Sequence, residues 1–316
     1  MALRIAFFGT PEIAVPTLER LISGPHTLAV VVSQPDRRRG RGRKTSASPV
    51  SQVAERAGIP LLRPERVGAP DCIADLQAQA PDLGVVVAFG QFIPKRVREL
   101  PRLGYLVNAH ASLLPRHRGA APIAHAILAG DTKTGISVMR VERQMDAGPV
   151  ALVRETRIAG DEQAGCLSER LGHLAAAAIG DAILEIGAGT VVWTEQNHAR
   201  ATVAPKIDKR DLRLDFALDA ATLVRRVRAL APSPGAVTSL EGEPLRILAA
   251  TGQAGRTSEA PGVTRRHSDG RLRIATADGW LVPTRIQRAG AKPLEVEAFL
   301  RGRPIEDGTL LGGDLT

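Results

Sequence analysis

The heptapeptide GVVVAFG, residues 84–90, decides the fold. Its apolar positions are consecutive, so a strand built from it would be covered on both faces, as inside a parallel sheet. Outward from it, Arg4–Phe8, Leu28–Val32 and Tyr105–Asn108 read as further short strands beside Gly84–Ala88. Helical patterns near Pro11–Leu21, Pro49–Ala57 and Ala120–Leu128 lie between them. Strands alternating with helices predict an α/β domain with a mostly parallel, doubly wound sheet. Leu167–Ile186 reads as a long helix closing that domain, and the aperiodic residues that follow read as a linker.

From Ile207 the texture changes. AATLVRRVRALAP, residues 220–232, is one amphipathic helix stopped by Pro232. GAVTSL, LRILAA and LRIATADGWLVPTRI then alternate with turn residues, the pattern of a small antiparallel barrel. GQAGRTSEAPG, residues 252–262, reads as a mobile loop. The domains expected are therefore 1–189, a linker over 190–206, and 207–316.

The 316 residues carry a formal charge of +9. The basic excess is spread: residues 1–200 hold 24 basic and 19 acidic side chains, and residues 201–316 hold 18 and 14. A polyanion is the partner such a balance favours. No run approaches the roughly 18 apolar residues of a membrane helix, and the start of the chain reads as a core strand instead of a signal peptide. Cys72 and Cys166 match no metal or redox spacing and are expected as buried thiols in a reducing cytoplasm.

Two glycine-containing loops fail as nucleotide sites. FFGTPE, residues 7–12, has one glycine where a dinucleotide fingerprint needs three, and its Thr10 reads as a helix N-cap. GRGRKTS lacks the ending of a phosphate loop. The run QPDRRRGRGRK, residues 34–44, instead places Arg37, Arg38, Arg39, Arg41, Arg43 and Lys44 on a segment whose glycines deny it regular structure. Such an arm can fold onto a phosphate backbone.

VNAHASLLPRHRGAAP, residues 107–122, carries the chemistry. Asn108 and His110 point the same way from a strand and need a polar partner. Asp146, on the turn after a second strand, supplies a carboxylate to orient the imidazole. Together, Asn108 and His110 make a donor pair suited to a developing oxyanion. Ser112 suits turn duty better than nucleophilic attack, and His117, His125 and His173 read as surface or structural. No residues have metal-ligand spacing. Acyl transfer directly between two bound substrates fits this set.

These residues, with RIAFFGTPE, VVVAFGQFIPK, GDTKTGISVM, MDAGPV, VAPKIDK and PSPGA, resemble the folate-dependent formyltransferases over most of the chain and in the family's order. The resemblance implies a Rossmann-like domain binding 10-formyltetrahydrofolate, then a linker and an OB-like barrel that helps hold tRNA. It implies Asn108, His110 and Asp146 as the catalytic trio, and Ser112, Leu113, Leu114 and Pro115 as folate contacts. Backbone groups of Ala88, Phe89 and Gly90 would frame the pterin. It places Arg41 at the tRNA acceptor end, with Arg37, Arg38, Arg39, Arg43, Lys44 and Lys206 beside it. The acceptor implied is methionine on initiator methionyl-tRNA, and the enzyme is expected as a cytoplasmic monomer without metal. The chain departs from the family's usual residues at His117, Ala124, Val203 and Ser233. A formyltransferase for small amines would need neither the basic loop nor the barrel, and a non-catalytic RNA-binding module would leave the trio without a purpose.

Overall fold

A computed structural model describes residues 2–39, 44–255 and 257–312; the side chains of Arg38, Arg39, Lys44 and Thr45 lie outside that description, as do Arg41 and Arg43 entirely. The chain divides into two compact units. One comprises Met1–Pro122, Lys133–Arg157 and Ser168–Pro205, and the other Ile123–Thr132, Ile158–Leu167 and Lys206–Thr316.

The first unit holds strands β1 (Arg4–Gly9), β2 (Thr27–Val32), β3 (Arg37–Arg39), β4 (Lys44–Ser46), β5 (Leu61–Leu62), β6 (Leu83–Val87), β7 (Leu106–His110), β8 (Lys133–Arg140) and β9 (Val150–Arg157). Seven form one sheet in the order β5-β2-β1-β6-β7-β8-β9. Pairs from β5 through β7 are parallel, and β8 and β9 add antiparallel neighbours. The parallel strands read from the sequence are thus present. Residues 83–87 are buried without a break, as an interior strand requires. The chain winds outward from β1 to β2 and β5, then crosses back to β6 and β7. That reversal opens a crevice at the carboxyl ends of β1 and β6, where ligands of such sheets bind.

Helices α1 (Val15–Ser23), α2 (Pro49–Arg56), α3 (Pro70–Ala78) and α4 (Lys95–Arg98) connect the early strands. Prolines sit in the first turns of α1, α2 and α3, where no backbone N–H is missed. Ser48 caps α2 by accepting from the Ser51 N–H at 2.9 Å, and its hydroxyl also meets that of buried Ser33 at 2.7 Å. Helix α5 (Pro122–Leu128) belongs to the second unit from Ile123 onward, and α6 (Ala164–Ala188) begins in the second unit and belongs to the first from Ser168.

Several expectations are corrected. The basic run is not devoid of regular structure: Arg37–Arg39 pairs antiparallel with Lys44–Ser46, because the glycines fall between the strands and not within them. Thr10 caps no helix; its hydroxyl donates to the Phe89 carbonyl at 2.9 Å. Cys72 is buried but Cys166 is exposed, since α6 turns Leu167 and Leu171 inward instead. Helix α6 is long and apolar enough to cross a membrane by length and composition alone, which its alanines conceal in a reading for bulky residues. Half of that apolar window is buried inside the fold, as in a core helix.

The second unit carries α7 (Ala220–Leu230), then β10 (Ala236–Leu240), β11 (Glu243–Ala254), β12 (Thr264–Arg266), β13 (Leu272–Ala275), β14 (Gly279–Arg288) and β15 (Leu294–Glu295), and α8 (Val296–Gly302). The strands pair antiparallel in the order β10-β11-β14-β13-β12, with β15 on β14. The Leu311 N–H donates to Gly262 O beside β12 at 2.9 Å and the Gly312 N–H to Ser239 O of β10 at 3.2 Å, so this segment ties both sheet edges together. Leu223, Val227, Ile247, Ile274, Leu281 and Phe299 fill the interior. Residues 252–254, expected in a loop, extend β11 and pair with Gly279–Leu281.

Candidate active site

Three loops of the first unit meet in hydrogen bonds at one set of side chains. Asn108 and His110 stand on β7, which runs between Val85–Val86 of β6 and Ser137–Met139 of β8. His110 is 6% exposed. Its Nε2 donates to the carbonyl of His117 at 2.9 Å. That carbonyl can only accept, so Nε2 carries a hydrogen and Nδ1 is the nitrogen left to work. Nδ1 lies 3.5 Å from Asp146 Oδ2, and the same oxygen accepts the Gly119 N–H at 2.9 Å. Asn108 is half-buried, and its carboxamide makes no hydrogen bond among the described residues. A half-buried amide with free donors beside such a pair is available to a ligand.

The backbone here is held under strain. Ala88, His117 and Asp146 have φ of 48°, 56° and 51°, in the left-handed region that side chains disfavour. Gly119, at φ 124°, shows why glycine is needed. A Cβ there would lie 2.5 Å from the carbonyl oxygen of Ala204. The segment read as a linker is therefore strapped to the site. The His117 N–H donates to Thr202 Oγ1 at 2.9 Å, that of Arg118 to Thr202 O at 2.9 Å, and that of Ala204 back to Arg118 O at 2.7 Å. Upstream, the Arg140 guanidinium lies 4.4 Å from the Tyr105 ring and 4.6 Å from that of Trp193, which fastens the same segment to the sheet. Burial pushes the Tyr105 hydroxyl pKa up.

At the sheet crevice the turn after β6 exposes Ala88 and Gly90 on either side of buried Phe89. Phe89 packs edge-on to Phe8 at 5.6 Å. Its carbonyl accepts from Thr10 Oγ1 and from Gln34 Nε2 at 3.0 Å. Sequence reasoning missed Gln34, because its partner lies on another strand's loop. Ser112 is fully buried, with its hydroxyl donating to Arg116 O at 2.6 Å and its carbonyl accepting from Ser137 Oγ at 2.8 Å. Leu113, Leu114 and Pro115 beyond it are half-buried. His117 is buried, and it shapes the site through its carbonyl.

The remaining sequence candidates are more scattered. Arg37 is exposed on the hairpin stem, and Lys206 is exposed at the first position of the second unit's last segment. Val203 is 74% exposed on the strap. Ala124 is half-buried in α5. Ser233 lines a surface cavity of the second unit, about 420 Å³, with Arg246 and Arg285. Among the described residues no group of His, Cys, Asp and Glu could hold a metal ion.

Residues 3–183 match the family model described as formyl transferase, and residues 206–304 match the formyl transferase C-terminal domain. These matches, over most of the chain, make it a formyltransferase enzyme. A methionyl-tRNA formyltransferase of Halorhodospira halophila is 42% identical over 98% of this chain and 99% of its own length. One from Novosphingobium aromaticivorans is 45% identical over 98% of this chain and 100% of its own. The chain belongs to the methionyl-tRNA formyltransferase family. HypX from Aquifex aeolicus, solved in complex with tetrahydrofolic acid, shares the fold with a TM-score of 0.62 at 18% identity. That match covers 95% of this chain and 47% of HypX, so this chain spans about half the length of HypX.

Proposed function

We propose that this chain transfers the formyl group of 10-formyltetrahydrofolate to the α-amino group of methionine on initiator methionyl-tRNA, with Asn108, His110 and Asp146 as catalytic residues. The observation that carries the reading is the uncommitted Asn108 carboxamide on the same strand as the His110–Asp146 pair. An α-amino group has a pKa of about 7.7–8.0, so a useful fraction is neutral near pH 7 without a strong base. As the amine nitrogen bonds to the formyl carbon, Asn108 from its amide and His110 from Nδ1, in the imidazolium form that carries a hydrogen on each ring nitrogen and faces Asp146, donate to the oxygen that gains charge. Asp146 holds His110 and relays the proton lost by the amine to N10, whose bond to the formyl carbon breaks. No covalent enzyme intermediate is required.

For the donor we assign Ala88, Phe89 and Gly90 as the backbone lip beside the pterin. The exposed peptide groups either side of an anchored Phe89 suit the hydrogen-bonding edge of a flat heterocycle. Leu113, Leu114 and Pro115 offer apolar contact, with Ser112 bracing the turn from beneath. For the tRNA we assign Arg37, Arg38, Arg39 and Lys44 of the hairpin, Arg41 and Arg43 between its strands, and Lys206. Six cations within eight positions support a phosphate-backbone contact. We assign residues 1–189 to catalysis, 190–206 to a linker and 207–316 to an OB-like tRNA-binding domain. The enzyme works as a cytoplasmic monomer, without metal and away from membranes.

Transfer of labelled formyl from 10-formyltetrahydrofolate to methionyl-tRNA, with free methionine in parallel, tests this acceptor. Label on the charged tRNA alone is expected. Equal labelling of free methionine would contradict it.

A further inference from the structure

Two buried polar side chains of the first unit have no part in the chemistry above. Gln196 is 8% exposed and Arg118 is 7% exposed. Gln196 Nε2 donates to the carbonyls of Asp146 at 2.9 Å and Gly148 at 2.7 Å. Its Oε1 accepts from Arg118 Nε at 3.1 Å and Nη2 at 2.7 Å. Arg118 Nη2 also lies 3.1 Å from His198 Nδ1. The next residue, Gly119, donates its N–H to Asp146 Oδ2. One carboxamide thus closes a ring, from the backbone of the Asp146 turn, through Arg118 and Gly119, back to the Asp146 carboxylate.

We propose that Gln196 is a positioning residue for formyl transfer, which holds the Asp146 carboxylate at Nδ1 of His110. The proposal rests on the reading of Asp146 as catalytic. Asp146 occupies the left-handed region, a conformation that persists only where the surroundings over-determine it. Gln196 supplies that constraint by gripping the carbonyl of the strained residue and another two positions on. Glutamine also suits the place by its inventory. Both amide hydrogens are used and its oxygen accepts twice, so the group is saturated. Among the described residues no carboxylate pairs with buried Arg118. A glutamate at 196 would bind that guanidinium more strongly. It would also turn acceptors toward two carbonyls and set a second negative charge beside Asp146. A neutral amide leaves Asp146 as the one carboxylate His110 meets.

The test compares Gln196→Leu, Gln196→Glu and Asp146→Asn, and each Gln196 variant combined with Asp146→Asn. Readouts are kcat, KM for tRNA and donor Kd. Each Gln196 variant should lower kcat about 10- to 100-fold, the scale of a displaced catalytic group. KM and donor Kd should stay within about twofold, and the loss should disappear in the Asp146→Asn background because both changes act through one carboxylate. Parent-like kcat in Gln196→Leu beside an impaired Asp146→Asn would overturn the positioning role alone, as would losses that multiply in the double variant. Parent-like Asp146→Asn would overturn the catalytic reading and the positioning role with it. If Gln196→Leu does not fold, Gln196→Glu, which keeps a partner for Arg118, decides by the same rule.

Discussion

The two units use strained backbone for different ends. In the first, Ala88, His117 and Asp146 lie in the left-handed region where the site's loops meet, and Ala80, at φ 44°, lies there between α3 and β6. In the second, the only described non-glycine residue in that region is Glu241, at φ 53° beside Gly242 at 79°. Those two residues make the tight turn joining β10 to β11, where positive φ at both central positions matches the strand twist. Strain at Glu241 closes a hairpin. Strain at His117 and Asp146 aims a carbonyl and a carboxylate at one imidazole, which local turn geometry does not require. The lesson is that the partners of a strained residue, more than the strain, reveal a site.

The most severe way to break this contrast is to remove the groups being aimed. His110→Ala, Asp146→Ala and Asn108→Ala should each lower kcat by about 10²–10³ or more, with donor binding largely kept. Steady-state kinetics beside donor titration would read both effects. Next, Gly119→Ala should distort the loop that carries the Asp146 contact, because of its φ and the Ala204 carbonyl in the way. A kcat loss above tenfold and a destabilisation of about 1–3 kcal/mol are expected, measured by kinetics and denaturant unfolding.

Away from the chemistry the effects shrink. Arg37→Ala or Arg41→Ala should raise KM for tRNA about 3- to 10-fold, less at higher salt because phosphate contacts are screened. Kinetics over a salt series, with donor KM unchanged, would check it. Asp82 sharpens the contrast from the strand side. Its carboxylate accepts the Arg4 N–H at 2.8 Å and Arg102 Nε at 2.5 Å, and those bonds hold its pKa below the usual carboxylate value. Folding therefore gains stability from it above the unfolded-state pKa, and loses that gain as pH falls through the folded-state value. Asp82→Asn should cost about 1–2 kcal/mol at neutral pH, with the difference from the parent vanishing in acid and kcat unaffected; chemical denaturation across pH reads it. The smallest effect belongs to Glu241→Gly, where relief of positive φ offsets the lost ion pair with Arg303. Stability should move less than about 1 kcal/mol and turnover not at all, by thermal unfolding and kinetics.

The sequence carries the parallel strands openly, because Phe7, Val31 and Val85 sit in runs that only a doubly covered sheet accommodates. It also carries Asn108 and His110, polar groups on an otherwise buried strand. Strand β9 was harder to see. Its Arg154 and Glu155 look like loop residues until Asp181 and Lys133 are placed opposite them. The β3–β4 hairpin is hidden for a related reason, since arginines lend no alternation to read. Gln196 and Arg118 lie 78 positions apart, and nothing local in either stretch announces that they meet. Nor does composition disclose that His110 spends Nε2 on a backbone carbonyl and turns Nδ1 toward Asp146.

On the function proposed above, transfer depends on the imidazole at 110, while the loops around it bind the donor without it. The most direct measurement is single-turnover transfer from labelled 10-formyltetrahydrofolate to methionyl-tRNA by His110→Ala, with donor affinity measured on the same preparation. Donor affinity near that of the parent, with transfer slowed at least about a hundredfold, is the predicted result. Transfer at the parent's rate would contradict the account.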